Sequence, residues 1–136
     1  MIEIEEPLAS WIILVARLCL AGVFLVSGIH KGLWYQKAVQ EFEAAGARPV
    51  ALFVPFTIAL HLLAAGALIG GLFVREAALA LAVFTVVATL KVHCFWRMGG
   101  EQKLARSRIA MAHLAVVGGL ILLVVTGPGR LTLQAL

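Results

Sequence analysis

The chain has 136 residues, of which 62% are hydrophobic and 13% are charged, and its mean hydropathy is +1.04. Soluble domains carry about a quarter charged residues, so this composition excludes an ordinary soluble domain and predicts an integral membrane protein. The formal net charge is +4, but the basic residues lie near the ends of long apolar segments. That distribution favours contact with lipid headgroups and argues against a nucleic-acid partner.

Four long apolar segments follow one another along the chain and predict helices at about 9–30, 50–74, 76–97 and 107–127. Each has the ~20 residues that a helix needs to cross ~30 Å of hydrocarbon. We therefore predict an all-α fold, an integral membrane four-helix bundle in which residues 1–136 form a single membrane domain.

The connection between the first two predicted helices has a pattern of its own. Over residues 33–46, Trp34, Ala38, Val39 and Phe42 recur at helical spacing, with charged residues between them. This pattern predicts a short interfacial helix that lies in the headgroup layer of the bilayer.

Basic residues are concentrated in the first and third connections, and short loops rich in Lys and Arg stay on the cytoplasmic side of a membrane. We therefore predict a multi-pass protein of the inner (cytoplasmic) membrane with both termini on the outer side. The basic residues that set this orientation are Lys31, Lys37, Arg48, Arg97, Lys103, Arg106 and Arg108.

Two ionisable side chains fall deep within the apolar segments, where burial of a charge costs from about 2.5 kcal/mol upward. Arg17 lies ~9 Å below the outer surface and shares a helix face with Phe24, Gly28 and Lys31, so we expect that face to turn into the bundle. The alternative is that Arg17 snorkels to the headgroups. His61 lies ~16 Å deep, and both a hydrogen-bonded structural role and a role on a ligand or proton path stay open.

Nitrogen donors gather at the predicted inner ends of helices one, three and four, within about two turns of one surface. On helix three, Trp96 continues a stripe through Thr85, Thr89 and His93, and it could anchor the helix or stack on a ligand. Histidine and lysine can donate hydrogen bonds to a quinone or bind a small anion. The candidate ligand-binding residues are Lys31, His93, His113, His30, Trp96, Arg17 and His61.

Other cofactors have less support in the sequence. No carboxylate or second histidine accompanies His61 on its helix, so no metal site is predicted. Haem b between His61 and His113 is disfavoured, because their estimated depths are ~16 and ~6 Å. The apolar segments lack carboxylates for acid–base hydrolysis, so no catalytic residue is identified.

An ordered series of short motifs runs from about Val15 to Gly129, and through it the chain resembles the DoxX family of small four-helix membrane proteins. Arg17 and Lys31 match the family's Arg and Lys. His61 stands where the family has an acidic residue, and Ala112-His113 stands where it has Lys-Asn. The motifs are Ala16-Arg17, Phe24-Leu-Val-Ser-Gly28, Lys31, Gly66, Gly70-Gly71, Val92-His-Cys-Phe-Trp96, Gly118-Gly119 and Gly127-Pro-Gly129.

The resemblance implies association with a redox complex, because the family name comes from relatives of the small membrane subunit of a thiosulfate:quinone oxidoreductase. Our first hypothesis is a membrane subunit of a quinone-linked oxidoreductase system that binds a quinone or a small anion near the cytoplasmic side. The alternative is a non-catalytic membrane scaffold or assembly factor for a larger membrane complex. Under either hypothesis we expect the lipid bilayer and a membrane protein partner or a homo-oligomer as partners. A b-type cytochrome is the third hypothesis.

Overall fold

The computed structural model describes residues 5–92 and 99–135, and regular structure within these ranges is helical. This helical content confirms the all-α class. Three of the helices, Glu6–Leu33, Val50–Gly70 and Gly100–Thr126, are long and apolar enough to cross a membrane. The helices are α1 (Glu6–Leu33), α2 (Tyr35–Ala44), α3 (Val50–Gly70), α4 (Val74–Val92) and α5 (Gly100–Thr126), followed by a 3₁₀ turn at Leu133–Ala135.

Helix α4 is the one predicted span that lacks this support. Its described part has 19 residues, with Arg75 and Glu76 in the first turn and Lys91 in the last, and it does not count among the three apolar spans of the described chain. A fourth crossing therefore stays a prediction.

The ends of the helices differ from the sequence-based bounds for local reasons. Helix α3 ends at Gly70, short of the predicted residue 74, because Gly71 adopts a left-handed conformation with φ 73° and its N–H bonds to the Ala67 carbonyl. Helix α5 begins at Gly100, well before residue 107, because the polar segment ahead of the apolar one is also helical. Hydropathy marks the part of a helix that suits hydrocarbon, not its full length.

The bundle packs α1 mainly against α3 and α4 mainly against α5. Helix α1 buries Arg17, Ala21, Phe24 and Gly28, which confirms the predicted inward face. At Gly28 the two helices approach closely, because a Cβ there would lie 2.9 Å from Leu62 Cδ2.

Helix α2 is attached to the bundle by its apolar side. Ala38 and Phe42 are buried and pack with Val54 of α3. The charged residues Lys37, Glu41 and Glu43 are exposed. This arrangement holds α2 across one end of the α1–α3 pair; its place in the headgroup layer stays a prediction.

Candidate functional site

A cavity of about 200 Å³ lies between the helices, and all five contribute to its lining. Three of the predicted site residues, Lys31, His61 and His113, are brought together here from α1, α3 and α5. Phe24 lies one turn ahead of Ser27 on α1, so the cavity extends over about two turns of that helix towards Lys31. The other polar, charged or aromatic lining residues are Phe24, Ser27, Glu41, Phe42, Thr57, Phe84, Thr85 and Arg106.

His61 is the most deeply buried of the titratable groups that line this cavity. Its side chain is 5% exposed, and its ring lies 5.2 Å from the Phe24 ring and 5.1 Å from the Phe84 ring, nearly edge-on to both. In the described residues neither Nδ1 nor Nε2 has a hydrogen-bond partner. A buried polar group without a partner costs ~1–3 kcal/mol, so His61 is a site where a ligand could recover that free energy.

Lys31 supplies the second set of donors. Its Nζ donates a hydrogen bond to Ser27 Oγ at 2.6 Å. This bond holds the ammonium beside a residue one turn earlier on α1. An ammonium has three hydrogens, so two remain for other acceptors. Arg106 and Glu41 also line the cavity, so its charged side chains are two cations and one carboxylate.

His113 joins α5 to α4 beside the cavity. Its Nδ1 lies 2.7 Å from Thr89 Oγ1, and the Thr89 hydroxyl donates its one hydrogen to the Thr85 carbonyl. The hydroxyl oxygen must therefore accept, and the proton of a neutral His113 imidazole lies on Nδ1. The sequence placed His61 and His113 at different depths, yet both side chains line the same cavity.

Arg17 lies elsewhere, ~21 Å from Lys31 along α1. Its side chain has 0% exposure and donates four hydrogen bonds to backbone carbonyls. Nε bonds to Leu68 O at 2.8 Å and Nη2 to Ile69 O at 2.9 Å, while Nη1 bonds to Pro128 O at 2.8 Å and to Leu131 O at 2.6 Å. The guanidinium thus caps the carbonyl end of α3 and joins the segment after α5 to α1 through hydrogen bonds.

The remaining candidates do not line the cavity as the structure describes it. His30 is exposed, and its ring lies 4.5 Å from the Trp34 ring at the junction of α1 and α2. His93 and Trp96 lie outside the described residues. Within residues 5–92 and 99–135, no group of three His, Cys, Asp or Glu residues is placed to hold a metal ion.

Several lining residues were missed by the sequence interpretation. Arg106 lies seven residues before His113, two turns along the same face of α5, so helical spacing could have found it. Glu41 was treated as a solvated charge on the interfacial helix, and only the docking of α2 brings it to the cavity. Thr57 lies one turn before His61, but its hydroxyl is already bonded to the Phe53 carbonyl at 2.7 Å.

The comparisons with known proteins agree with the motifs of the sequence. A family model described as DoxX matches residues 12–94, which include Arg17, Lys31 and His61. The chain belongs to the DoxX family. It is therefore a DoxX-family membrane protein whose cavity brings Lys31, His61 and His113 together.

Two relatives from Escherichia coli (strain K12) are similar over nearly their whole length. Inner membrane protein YphA is 25% identical over 123 residues, which cover 90% of this chain and 88% of the relative. Inner membrane protein YqjF is 30% identical over 124 residues, which cover 91% and 90%. No solved structure matches the chain.

Proposed function

We propose that this DoxX-family protein is a membrane subunit of a quinone-linked redox system and that its cavity binds the head group of a quinone. The family resemblance supports the redox association, and the two inner membrane relatives support a place in the inner membrane. In this arrangement α4 is the fourth crossing, α2 lies in the cytoplasmic headgroup layer, and both termini face the outer side.

The observation that carries the proposal is the unpartnered imidazole of His61 in a cavity that also holds the Lys31 ammonium. A quinone is a flat ring with two carbonyl acceptors. One N–H of a neutral His61 and a free N–H of Lys31 are the donors that such carbonyls need. Phe24 and Phe84 line the same cavity and offer aromatic surface for the quinone ring to pack against.

The neutral imidazole also suits both redox states of the ligand. The nitrogen that faces the ligand can donate as N–H to a quinone carbonyl, and in the other tautomer the same nitrogen can accept from a quinol hydroxyl. His61 could therefore hold the ring before and after reduction without a change in its own charge.

The test begins with purification of the full chain in mild detergent, extraction of bound lipid and measurement of quinone by chromatography. We expect quinone to copurify, and a stripped preparation to take up added radiolabelled quinone. His61→Phe keeps the ring and removes both nitrogens, so we expect affinity to fall about tenfold or more. Leu63→Phe is the matched control, because Leu63 is 75% exposed on the same helix.

A preparation that neither retains nor takes up quinone would contradict the proposal, as would wild-type affinity in His61→Phe. The nitrogen donors could bind either a quinone or a small anion. Binding of inorganic sulfate, measured in the same way, distinguishes the two. Saturable sulfate binding that depends on Lys31, without quinone binding, would assign the cavity to a small anion.

A further inference from the structure

A second concavity lies on the outer surface of the bundle, where α4 and α5 meet. It is a groove of about 180 Å³. Leu90 and Leu114 on its rim are 57% and 74% exposed, so the groove opens away from the bundle interior. In a membrane that direction is hydrocarbon. The residues that line the groove are Val86, Thr89, Leu90, Ala110, His113, Leu114 and Val117.

The groove and the cavity lie on opposite sides of one seam between α4 and α5. His113 lines both of them. On α5, Val116 lines the cavity and Val117 lines the groove. On α4, Ala88 lines the cavity and Thr89 lines the groove. The hydrogen bond between Thr89 Oγ1 and His113 Nδ1, 2.7 Å long, joins the helices where the two spaces meet.

We infer that the groove binds the hydrophobic tail of the ligand whose head group occupies the cavity, and that the ligand comes from the bilayer through this seam. The inference rests on the proposed function and narrows the ligand to a lipid-soluble quinone with an isoprenoid or alkyl tail. The head group requires hydrogen-bond donors, which the cavity has. The tail requires apolar surface that is continuous with lipid, which the groove has.

Such a route crosses from the groove to the cavity beside His113. A quinone ring that leaves the hydrocarbon finds its hydrogen-bond donors at Lys31 and His61, because His113 Nδ1–H is donated to Thr89 and the Thr89 hydroxyl is donated to the Thr85 carbonyl. Thr89 and His113 are the polar side chains of the groove lining, and they lie at its boundary with the cavity. A small water-soluble ligand would need neither the groove nor an opening towards lipid.

The test uses the full chain in lipid nanodiscs and a quinone that carries a photoreactive diazirine on its tail. After illumination, mass spectrometry of peptides locates the label, which we expect in residues 86–90 and 110–117. Ala110→Trp fills the groove, so labelling should fall about tenfold. Ala112→Trp is the matched control on the same helix, since Ala112 is exposed and lines neither space, and it should label as the wild type does.

A quinone with the same ring but no tail is added as a competitor of the probe. It distinguishes failure of the inference from failure of the proposed function. If it displaces the probe but the label lies on α1 or α3, or Ala110→Trp labels normally, the head-group site stands and the groove assignment is overturned. If labelling resists an excess of the tail-less quinone and is unchanged in His61→Phe, the probe reports lipid partitioning and the inference is overturned. If neither quinone binds, both proposals fail.

Discussion

Arg17 and His61 are polar side chains buried to a similar degree in one apolar bundle, at 0% and 5% exposure, but their hydrogen bonding is opposite. Arg17 donates four hydrogen bonds to carbonyls from two separate segments. His61 has two ring nitrogens without a partner among the described residues. Both positions are costly in an apolar environment, and at Arg17 the fold itself offsets the cost.

The difference teaches that depth in the bilayer does not by itself distinguish a structural group from a binding group. The distinction lies in whether the fold satisfies the donors. The carbonyls at the end of α3 have no partners within their own helix, and Arg17 fills that need. His61 has aromatic rings for neighbours, which pack against an imidazole without satisfying its nitrogens. The comparison can be tested by removing each group in turn.

The largest effect is expected for Arg17→Met. Methionine fills part of the same volume but leaves four carbonyls without a donor, so the free energy of unfolding should fall by about 3 kcal/mol or more. Thermal or denaturant unfolding in a fixed detergent measures it. The control is Arg130→Met, because the Arg130 side chain is exposed in its 3.2 Å ion pair with Glu6 and its loss should change stability by less than ~1 kcal/mol. Equal losses in the two variants would contradict the assigned role of Arg17.

A smaller loss of unfolding free energy is expected for Gly28→Ala, which tests the close packing of α1 against α3 at His61. The new Cβ would lie 2.9 Å from Leu62 Cδ2 and 3.2 Å from His61 Cβ, so the Leu62 side chain must move and His61 must give way slightly, at a cost of ~1–3 kcal/mol. Part of this cost is offset by the better helix propensity of alanine, ~1 kcal/mol. Both the free energy of unfolding and the affinity for quinone should fall.

Gly32→Ala makes the same change one turn along α1, where nothing lies within 4 Å of the added Cβ. We expect it to stabilise the helix slightly and to leave quinone affinity unchanged. If the two alanine variants behave alike, the close approach at Gly28 does not matter for the site.

The smallest effect on stability is expected for His61→Phe, even though it should abolish most binding. Phenylalanine fits between Phe24 and Phe84 and removes two unpaired nitrogens, so the unfolding free energy of the ligand-free protein should be unchanged or rise by ~1 kcal/mol. His113→Phe serves as the comparison, because it breaks the bond to Thr89 and should cost ~1 kcal/mol. A loss in His61→Phe as large as that of Arg17→Met would show that His61 is a structural residue.

Several residues of the site could be predicted individually, but not their full arrangement around one cavity. Lys31, His61 and His113 stood out because charged or titratable groups are rare in apolar segments. The sequence predicts that Lys31 and His113 lie near each other at the inner ends of their helices, but it places His61 at mid-membrane, apart from that cluster. The docking of α2 and the pairing of α1 with α3 bring Glu41, Lys31 and His61 to one cavity.

By itself the sequence determined the helical membrane class, the family and the inward face of α1 that carries Arg17, Phe24 and Gly28. The helical membrane class and the inward face depend on composition and on a periodicity of 3.6 residues, which are local properties of the chain. The family follows from the resemblance carried by the ordered short motifs. Only the tertiary structure decided which buried donors are satisfied. The carbonyls that bind Arg17 come from residues 51 to 114 positions away, and the partners that His61 lacks would also have to come from other helices.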